Sequence, residues 1–237
     1  GRNGHTVMVI PTIHPAATFR TPRWAYRCKR DWKRIAGDLA FRELRTPIRD
    51  HRINPTLAEV WDYVADATER AEVLAIDVET PRATSLVEVK GKKKKDGTPG
   101  KSRWKKVRGA ARVTCVGFSF EAHTSMTIPL VGWGTPEEAE DARRAVAALC
   151  ALPCPKAEQN GLFDSWWLAR LAAPVVNYTV DPRWMSHSID PLDDHDLGYL
   201  ASLETREPYW KSDVKGYDDP DTEDHYTSLD TWYRYNG

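Results

Sequence analysis

The chain has 237 residues, of which 41% are hydrophobic, and ten are tryptophan. This length accommodates one large domain, or one medium domain with a fragment, and the apolar content excludes a chain that is disordered throughout. No apolar run reaches 18 residues, so no membrane span is predicted. No secretory signal and no disulfide spacing are present, which predicts a reducing, cytoplasmic setting. Cys150 and Cys154 lack a second Cys or His pair at zinc-ligand spacing, so we expect structural or incidental thiols.

The net charge is zero, but the charges are segregated along the chain. Residues 1–54 hold twelve Lys/Arg against four Asp/Glu, and residues 88–112 hold eleven against two. Residues 181–237 reverse this balance, with five basic and fourteen acidic residues. Such segregation favours a protein that presents a basic face to a polyanion and gathers carboxylates elsewhere. Solvated faces and a flexible, lysine-rich loop are the alternative explanation.

Strands and helices are predicted to alternate along most of the chain. A short strand at 7–10 and a helix at 23–42 precede a polar connector over 46–55, which is the predicted domain boundary. Asn54 is the expected N-cap of the next helix, with Pro55 at its first position. The remaining elements are helices at 57–72, 136–150, 161–172 and beyond 183, strands at 73–80, 112–121, 123–130, 156–159 and 175–180, and a low-complexity loop at 91–97. This alternation predicts an α/β fold with a mixed sheet.

Asp77 and Glu79 stand two residues apart in a predicted strand that is otherwise apolar. Residues at this spacing lie on one face of a strand, about 7 Å apart. Two carboxylates there are unfavourable unless something pairs with them, and a divalent cation with oxygen ligands does so with a single ion. An exposed strand end with solvated acids remains the alternative.

Two further acidic positions belong to predicted helices. Asp164 lies one turn before Trp167 and Leu168, where it either stabilises the helix start or faces a site. Tyr226 and Asp230 stand four apart, so in a helix they reach the same side, where a phenol can orient an attacking water. Four carboxylates and a tyrosine from three segments suit phosphodiester hydrolysis with two metal ions.

Three short segments resemble, in order, the three motifs of the DEDD superfamily of 3′–5′ exonucleases. They are Ile76-Asp77-Val78-Glu79-Thr80, Asn160-Gly161-Leu162-Phe163-Asp164 and Tyr226-Thr227-Ser228-Leu229-Asp230. The tyrosine indicates the DEDDy branch, typified by the proofreading domain of family A DNA polymerases. The segments 181–185 and 195–201 resemble that domain between its second and third motifs, and 207–211 resembles phage and plasmid relatives. The implied fold is an RNase H-like mixed sheet flanked by helices, over residues 55–237.

The resemblance implies a role for each matching residue. Asp77, Glu79 and Asp230 would bind the tighter of two Mg²⁺ or Mn²⁺ ions, and Asp77 would bridge to the second. Asp164 would anchor the second ion, and Tyr226 would orient the nucleophilic water. Thr80 and Asn160 would contact the terminal nucleotide. The implied activity releases nucleoside 5′-monophosphates from the 3′ end of single-stranded DNA, in a bacterial or phage-infected cell.

The segment from Val9 to Arg20, which contains His14, resembles the closing motif of family 4 uracil-DNA glycosylases. The match covers only the last third of that fold, so residues 1–50 are expected to be an incomplete α/β remnant in which His14 has no catalytic role of its own. The chain starts at Gly1 and ends at Gly237 inside a predicted helix, so we expect a longer replication or repair protein, with a polymerase domain as one partner. An RNA-trimming exonuclease and a catalytically silent nucleic-acid-binding domain are the alternatives.

Overall fold

The computed structural model describes residue 10 and residues 12–41, 48–80, 84–91, 100–108 and 112–206. The chain divides into two compact units, Gly1–Pro47 and Ile48–Gly237. Residues 50–53, which the sequence assigned to a polar connector, form a strand of the second unit. None of the helices in the described ranges is long and apolar enough to cross a membrane.

The first unit contains two helices, α1 (Ala17–Arg20) and α2 (Trp24–Asp38). The predicted helix at 23–42 is therefore real but shorter, and the strand predicted at 7–10 lies outside the described residues except for Ile10. The loop before α1 is held to α2, because Thr12 Oγ1 donates to Asp31 Oδ2 at 2.7 Å. His14 is exposed, and its Nδ1 accepts a hydrogen bond from Ala16 N–H at 3.1 Å. This contact gives His14 a local turn-forming role.

The second unit contains eight strands and five helices in its described part. The strands are β1 (Asp50–Ile53), β2 (Leu74–Glu79), β3 (Thr84–Gly91), β4 (Gly100–Arg108), β5 (Cys115–Ser119), β6 (Thr124–Pro129), β7 (Lys156–Ala157) and β8 (Tyr178–Val180). The helices are α3 (Leu57–Arg70), α4 (Pro136–Ala151), α5 (Leu162–Arg170), α6 (Pro182–Ile189) and α7 (Leu197–Glu204).

Six strands form one mixed sheet in the order β1-β6-β5-β2-β7-β8. β2, β5 and β6 pair antiparallel, whereas β7 and β8 continue from β2 in parallel and β1 runs parallel to β6. Parallel neighbours need a helical crossover, and α5 supplies one between β7 and β8. The predicted class, an α/β mixed sheet flanked by helices, is confirmed.

Both long helices of this unit begin with a capping box. Thr56 Oγ1 accepts from Glu59 N–H at 3.3 Å while Glu59 accepts from Thr56 N–H at 2.7 Å. Thr135 and Glu138 repeat the arrangement at the start of α4. The prediction of Asn54 as the N-cap of α3 is wrong: Asn54 has a φ of 53° and lies before the cap. The Thr-x-x-Glu spacing outcompetes Asn54 because it satisfies two N–H groups reciprocally.

The hydrophobic core lies where α3 and α4 pack against the sheet. Alternation in β2 buries Leu74, Ile76 and Val78 there. Facing side chains come from both helices and from the adjacent strands, namely Val60, Val64, Ala67, Phe118, Met126, Ile128, Ala145, Val146 and Leu149. Burying each larger aliphatic or aromatic side chain contributes about 1.5–3 kcal/mol, so this layer fixes the register of β2 and hence the direction of its polar face.

A second, two-stranded sheet interrupts the chain between β2 and β5. β3 and β4 pair antiparallel, and within the described residues neither pairs with the six-stranded sheet. The sequence had predicted only a lysine-rich loop between β2 and β5. Residues 84–91 and 100–108 form a ribbon instead, and residues 92–97 of the predicted loop lie outside the described residues.

Candidate active site at the carboxyl edge of the sheet

Three parallel strands, β2, β7 and β8, end at the same edge of the sheet. Asp77 and Glu79 occupy the end of β2, Glu158 and Asn160 follow β7, and Asp181 follows β8. The carboxyl ends of parallel strands are where α/β sheets most often bind ligands. The first two predicted motifs therefore meet at one edge of the sheet.

The two carboxylates of the first motif lie on the face of β2 opposite the core. Asp77 is exposed and lies between the buried residues Ile76 and Val78, and Glu79, after Val78, is half-buried. The strand end is fixed by Thr114, whose N–H and hydroxyl both donate to the Glu79 carbonyl, at 2.9 and 3.1 Å. Thr80, the residue expected to contact nucleotide, follows directly and is half-buried.

Asp164 of the second motif is 4% exposed on α5, the helix that packs against β2. Burial raises the pKa of its carboxyl group to about 8, and the negative charges of Asp77 and Glu158 add to the rise. Hydrogen bonds from the backbone of Val78 and from its own backbone oppose the shift without cancelling it. The sequence left open whether Asp164 stabilises the helix start or faces a site. Its burial beside Asp77 favours the site.

Cys115 is a buried thiol beside the carboxylates of the first motif. The residue pairs with Glu79 in the β2–β5 register and is fully buried. Burial raises the pKa of its thiol, and the charges of Glu79 and Asp77 raise it further. A buried thiol held neutral in this way is a poor metal ligand.

Glu158 is a fifth carboxylate at this edge, and the sequence analysis did not select it. The residue is 1% exposed, and its Oε2 accepts a hydrogen bond from Ser165 at 2.8 Å. Within the described residues its Oε1 is buried without a hydrogen-bond partner. Burial raises the pKa of Glu158, and nearby Asp181 adds to the rise. No local signal identifies such a residue, because its neighbours in sequence do not reveal that it is buried.

Asn160, the other residue expected to contact nucleotide, is held by a polar network. Its backbone is left-handed, with a φ of 60°, and its Oδ1 accepts from Arg183 Nη1 at 3.2 Å. Asp181 accepts from the Tyr178 hydroxyl at 2.6 Å and from Gly161 N–H at 3.3 Å, and it also caps α6. The end of β8 thus positions the turn that carries the second motif.

The third motif cannot be located, since Tyr226 and Asp230 lie outside the described residues. Within the described residues, no three His, Cys, Asp or Glu side chains form a complete set of metal ligands. The described carboxylates are oxygen donors gathered at one end of the sheet, with the buried Asp164 close to the charge of Asp77. Hard oxygen donors of this kind suit Mg²⁺ or Mn²⁺ better than softer metals.

No protein-family model and no curated protein sequence matches this chain. Among solved structures, it is similar to the Nibbler EXO domain of Aedes aegypti, with a TM-score of 0.49 and 12% identity over 81% of this chain and 88% of that one. It is also similar to Trypanosoma brucei RNase D in complex with RNA U12, with a TM-score of 0.38, 14% identity and coverage of 79% and 60%. The catalytic core of RRP6 from the same organism gives a TM-score of 0.35 and 9% identity, over 71% of this chain and 47% of that one. The chain spans less than two thirds of these RNase D and RRP6 chains, and identities this low concern the fold alone.

Proposed function

We propose that this chain is a metal-dependent 3′–5′ exonuclease that hydrolyses single-stranded DNA to nucleoside 5′-monophosphates. The observation that carries the proposal is the burial of Asp164 on α5 next to Asp77 on β2. These residues are far apart in sequence and belong to two separate motifs, yet the charge of Asp77 raises the electrostatic cost of ionising Asp164. Two carboxylates held close together at the carboxyl end of a strand are suited to binding cations.

Each residue has a distinct role in the proposal. Asp77, Glu79 and Asp230 would hold one divalent ion, and Asp164 would hold the second together with Asp77. Tyr226 would orient the attacking water, while Thr80 and Asn160 would bind the terminal nucleotide. Two bound ions would supply charge stabilisation for the attacking and leaving oxygens of the phosphodiester. The roles of Tyr226 and Asp230 rest on the motif resemblance alone.

The polar network around Asn160 supports a positioning role for the second motif. Arg183 and Asp181 restrain the turn from two sides, through the Asn160 side chain and the Gly161 backbone. A nucleotide bound there would meet an amide whose orientation is already fixed. Preorganisation of this kind lowers the entropy lost when the substrate is aligned for in-line attack.

DNA is proposed over RNA because residues 9–20 resemble a uracil-DNA glycosylase motif, and a protein that joins the two activities would act on DNA throughout. RNA trimming by the same residues is the second candidate, and RNA is named in the complex of Trypanosoma brucei RNase D. Both substrates present the same 3′-terminal phosphodiester to the site. The test therefore includes both.

The proposal is tested with purified full-length chain and 5′-labelled single-stranded DNA and RNA, in Mg²⁺, in Mn²⁺ and in EDTA. The expected result is a ladder that shortens DNA from the 3′ end, with nucleoside 5′-monophosphates as products and no reaction in EDTA. Asp77→Asn and Asp164→Asn should each lower the rate at least about a hundredfold, since each removes a metal ligand. Asp66→Ala, an exposed acid on α3, is the matched control and should leave the rate unchanged.

Comparing the DNA and RNA substrates separates the candidate functions. Faster degradation of RNA than of DNA would favour RNA trimming at the same site. A folded protein that degrades neither nucleic acid in either metal, and that binds oligonucleotide equally well with and without Asp77, would overturn the exonuclease proposal in favour of a silent binding domain.

A further inference from the structure

The chain leaves the six-stranded sheet at the candidate active site and returns there. β2 ends at Glu79, and β5 begins at Cys115, its direct partner in the antiparallel register. Thr114 N–H donates to the Glu79 carbonyl at 2.9 Å, which closes the gap between the two strand ends. The β3–β4 ribbon, defined as Thr84–Gly91 with Gly100–Arg108, is therefore rooted beside the two carboxylates of the first motif.

The ribbon is strongly basic. Its seventeen residues include six Lys or Arg, at 90, 101, 103, 105, 106 and 108, against one acid, Glu88. Five of the six basic residues lie on β4. At about 3.3 Å per residue the nine residues of β4 extend for about 30 Å, and Lys101, Arg103 and Lys105 recur at intervals of nearly 7 Å.

The strand register places no acid directly opposite four of these basic residues. Lys105 pairs with Val87, Lys106 with Leu86 and Arg108 with Thr84. Arg103 pairs with Val89, and the one acid, Glu88, pairs with Trp104. Opposite charges on facing residues are one way in which paired strands are stabilised, and none of these five pairs is of that kind. A two-stranded ribbon is only marginally stable by itself, and its basic residues add little to that stability.

We propose that the β3–β4 ribbon binds the phosphate backbone of single-stranded nucleic acid whose 3′ end occupies the candidate active site. This inference rests on the proposed function and adds to it contacts with the nucleic acid several nucleotides away from its 3′ terminus. A polyanion complements the positive net charge of the ribbon. The ribbon follows β2 directly after Glu79, close to the place where the terminal nucleotide would lie. Contacts to phosphates carry no sequence information, as an exonuclease that degrades any sequence requires.

The first test measures binding of fluorescein-labelled (dT)20 and (rU)20 to the full chain in EDTA, over a series of NaCl concentrations. In the β4 variant, Lys101, Arg103, Lys105, Lys106 and Arg108 are all replaced by Gln. Each phosphate contact on a single strand contributes about 0.7 to the slope of log K against log salt, so losing three to five contacts should lower the slope by about 2 to 3.5.

The matched control removes the same charge elsewhere. Arg27, Lys29, Arg30, Lys33 and Arg34 on α2 are replaced by Gln, and this variant should keep the wild-type slope. An equal loss of slope in the α2 variant would overturn the proposal, because binding would then follow total charge. So would a β4 variant that loses affinity for poly-glutamate but keeps its affinity for both oligonucleotides, since that result would identify an acidic protein segment as the ligand.

A ribbon-deletion variant guards against misfolding of the β4 variant. Because Glu79 and Cys115 are register partners, residues 81–112 can be replaced by a short Gly-Ser linker without moving β2 or β5. This variant should reproduce the loss of salt slope while keeping the thermal unfolding midpoint of the wild type. A ribbon-deletion variant that unfolds at the wild-type temperature and binds oligonucleotide with the wild-type slope would overturn the proposal.

An activity measurement separates this inference from the proposed function. On a trinucleotide the β4 variant should match the wild type, and on a 20-mer its kcat/KM should fall at least about tenfold. If the wild type degrades nucleic acid and the β4 variant is equally active on both lengths, the ribbon proposal fails alone. If the wild type degrades no nucleic acid, and the β4 variant still shows the reduced salt slope, the exonuclease proposal fails while the proposal that the ribbon binds phosphates stands.

Discussion

Asp164 and Asp77 lie close enough at the carboxyl edge of the sheet that the charge of Asp77 helps to raise the pKa of the buried Asp164 carboxyl group to about 8. The two residues come from different motifs and from different kinds of element, a helix and a strand. Their proximity links the stability of the domain to pH and, in the proposed function, to divalent cations.

Stability without metal should fall as pH rises because of Asp164. In the unfolded chain its carboxyl group has a pKa near 3.9, so between about pH 4 and 8 the folded state binds more protons than the unfolded state. The contribution of Asp164 is fully present below pH 4 and is lost as pH approaches 8. In EDTA, the unfolding midpoint of the wild type relative to Asp164→Asn should therefore decline across this range.

Adding Mg²⁺ or Mn²⁺ at pH 8 should raise the wild-type midpoint, because a cation stabilises the ionised carboxylates of the folded state. Asp164→Asn should respond less. Equal responses of both proteins to metal would show that Asp164 does not contribute to the ion site.

Replacing Glu158 with Gln should lower the apparent pKa of Asp164. Glu158 adds to the negative charge that disfavours ionisation of Asp164, and Gln removes that charge while its carbonyl still accepts from Ser165. The pH-dependent loss of stability in EDTA should then be smaller and should level off at a lower pH than in the wild type. Following the unfolding midpoint of both proteins from pH 4 to 9 checks this.

Asp62→Asn, an exposed acid on α3, serves as the control for Glu158→Gln and should leave the curve unchanged. A Glu158→Gln protein with the wild-type curve would mean that Glu158 does not influence Asp164.

Gly161→Ala should disturb the second motif. A Cβ at this position would lie 2.8 Å from Tyr178 Cζ and would also overlap Glu158, so both side chains must shift. We expect a loss of about 1–3 kcal/mol in the free energy of unfolding, as for other overpacked sites. Urea unfolding measures the stability, and the oligonucleotide ladder measures the accompanying loss of activity.

Gly37→Ala is the comparison for Gly161→Ala, since a Cβ at Gly37 in α2 meets no atom within 4 Å. Helix propensity alone would make that change neutral to slightly stabilising. If Gly161→Ala were as harmless as Gly37→Ala, the packing around the second motif would have to be looser than the structure indicates.

Lys156→Met should destabilise the domain by about 2–4 kcal/mol, because it leaves buried carbonyl groups without donors. Lys156 is fully buried, and its Nζ donates to the carbonyls of Leu152, Cys154 and Val176 at 2.5, 2.8 and 3.1 Å. These bonds join the end of α4 to the segment before β8. Arg144→Met, an exposed position on α4, should change stability by less than about 0.5 kcal/mol in the same urea titration.

Local signals were sufficient for much of the fold. The apolar run that leads into Asp77 and Glu79 predicted β2, and their spacing placed both carboxylates on one face, because a strand repeats every two residues. The residues from Cys115 to Pro129 predicted a hairpin, and the α4 segment was found within one residue at its end. The class of the domain follows from these elements, since their order limits how a sheet can be covered.

The tertiary structure decided what depends on distant partners. β1 is a polar edge strand that, in the described part of the chain, pairs with β6 alone, more than seventy residues later, so nothing in Asp50–Ile53 marks it as a strand. The ribbon was missed because lysines are poor strand formers alone, and its register comes from pairing between β3 and β4.

The site divides in the same way. The sequence by itself determined which residues carry carboxylates and at what spacing, and so which motifs could act together. Only the packing of α5 against β2 determined that Asp164 is buried beside Asp77, and only the folded chain revealed Glu158 at the same edge. The physical reason is that ionisable groups acquire their properties from burial and from neighbouring charge, both of which are set by residues far away in the chain.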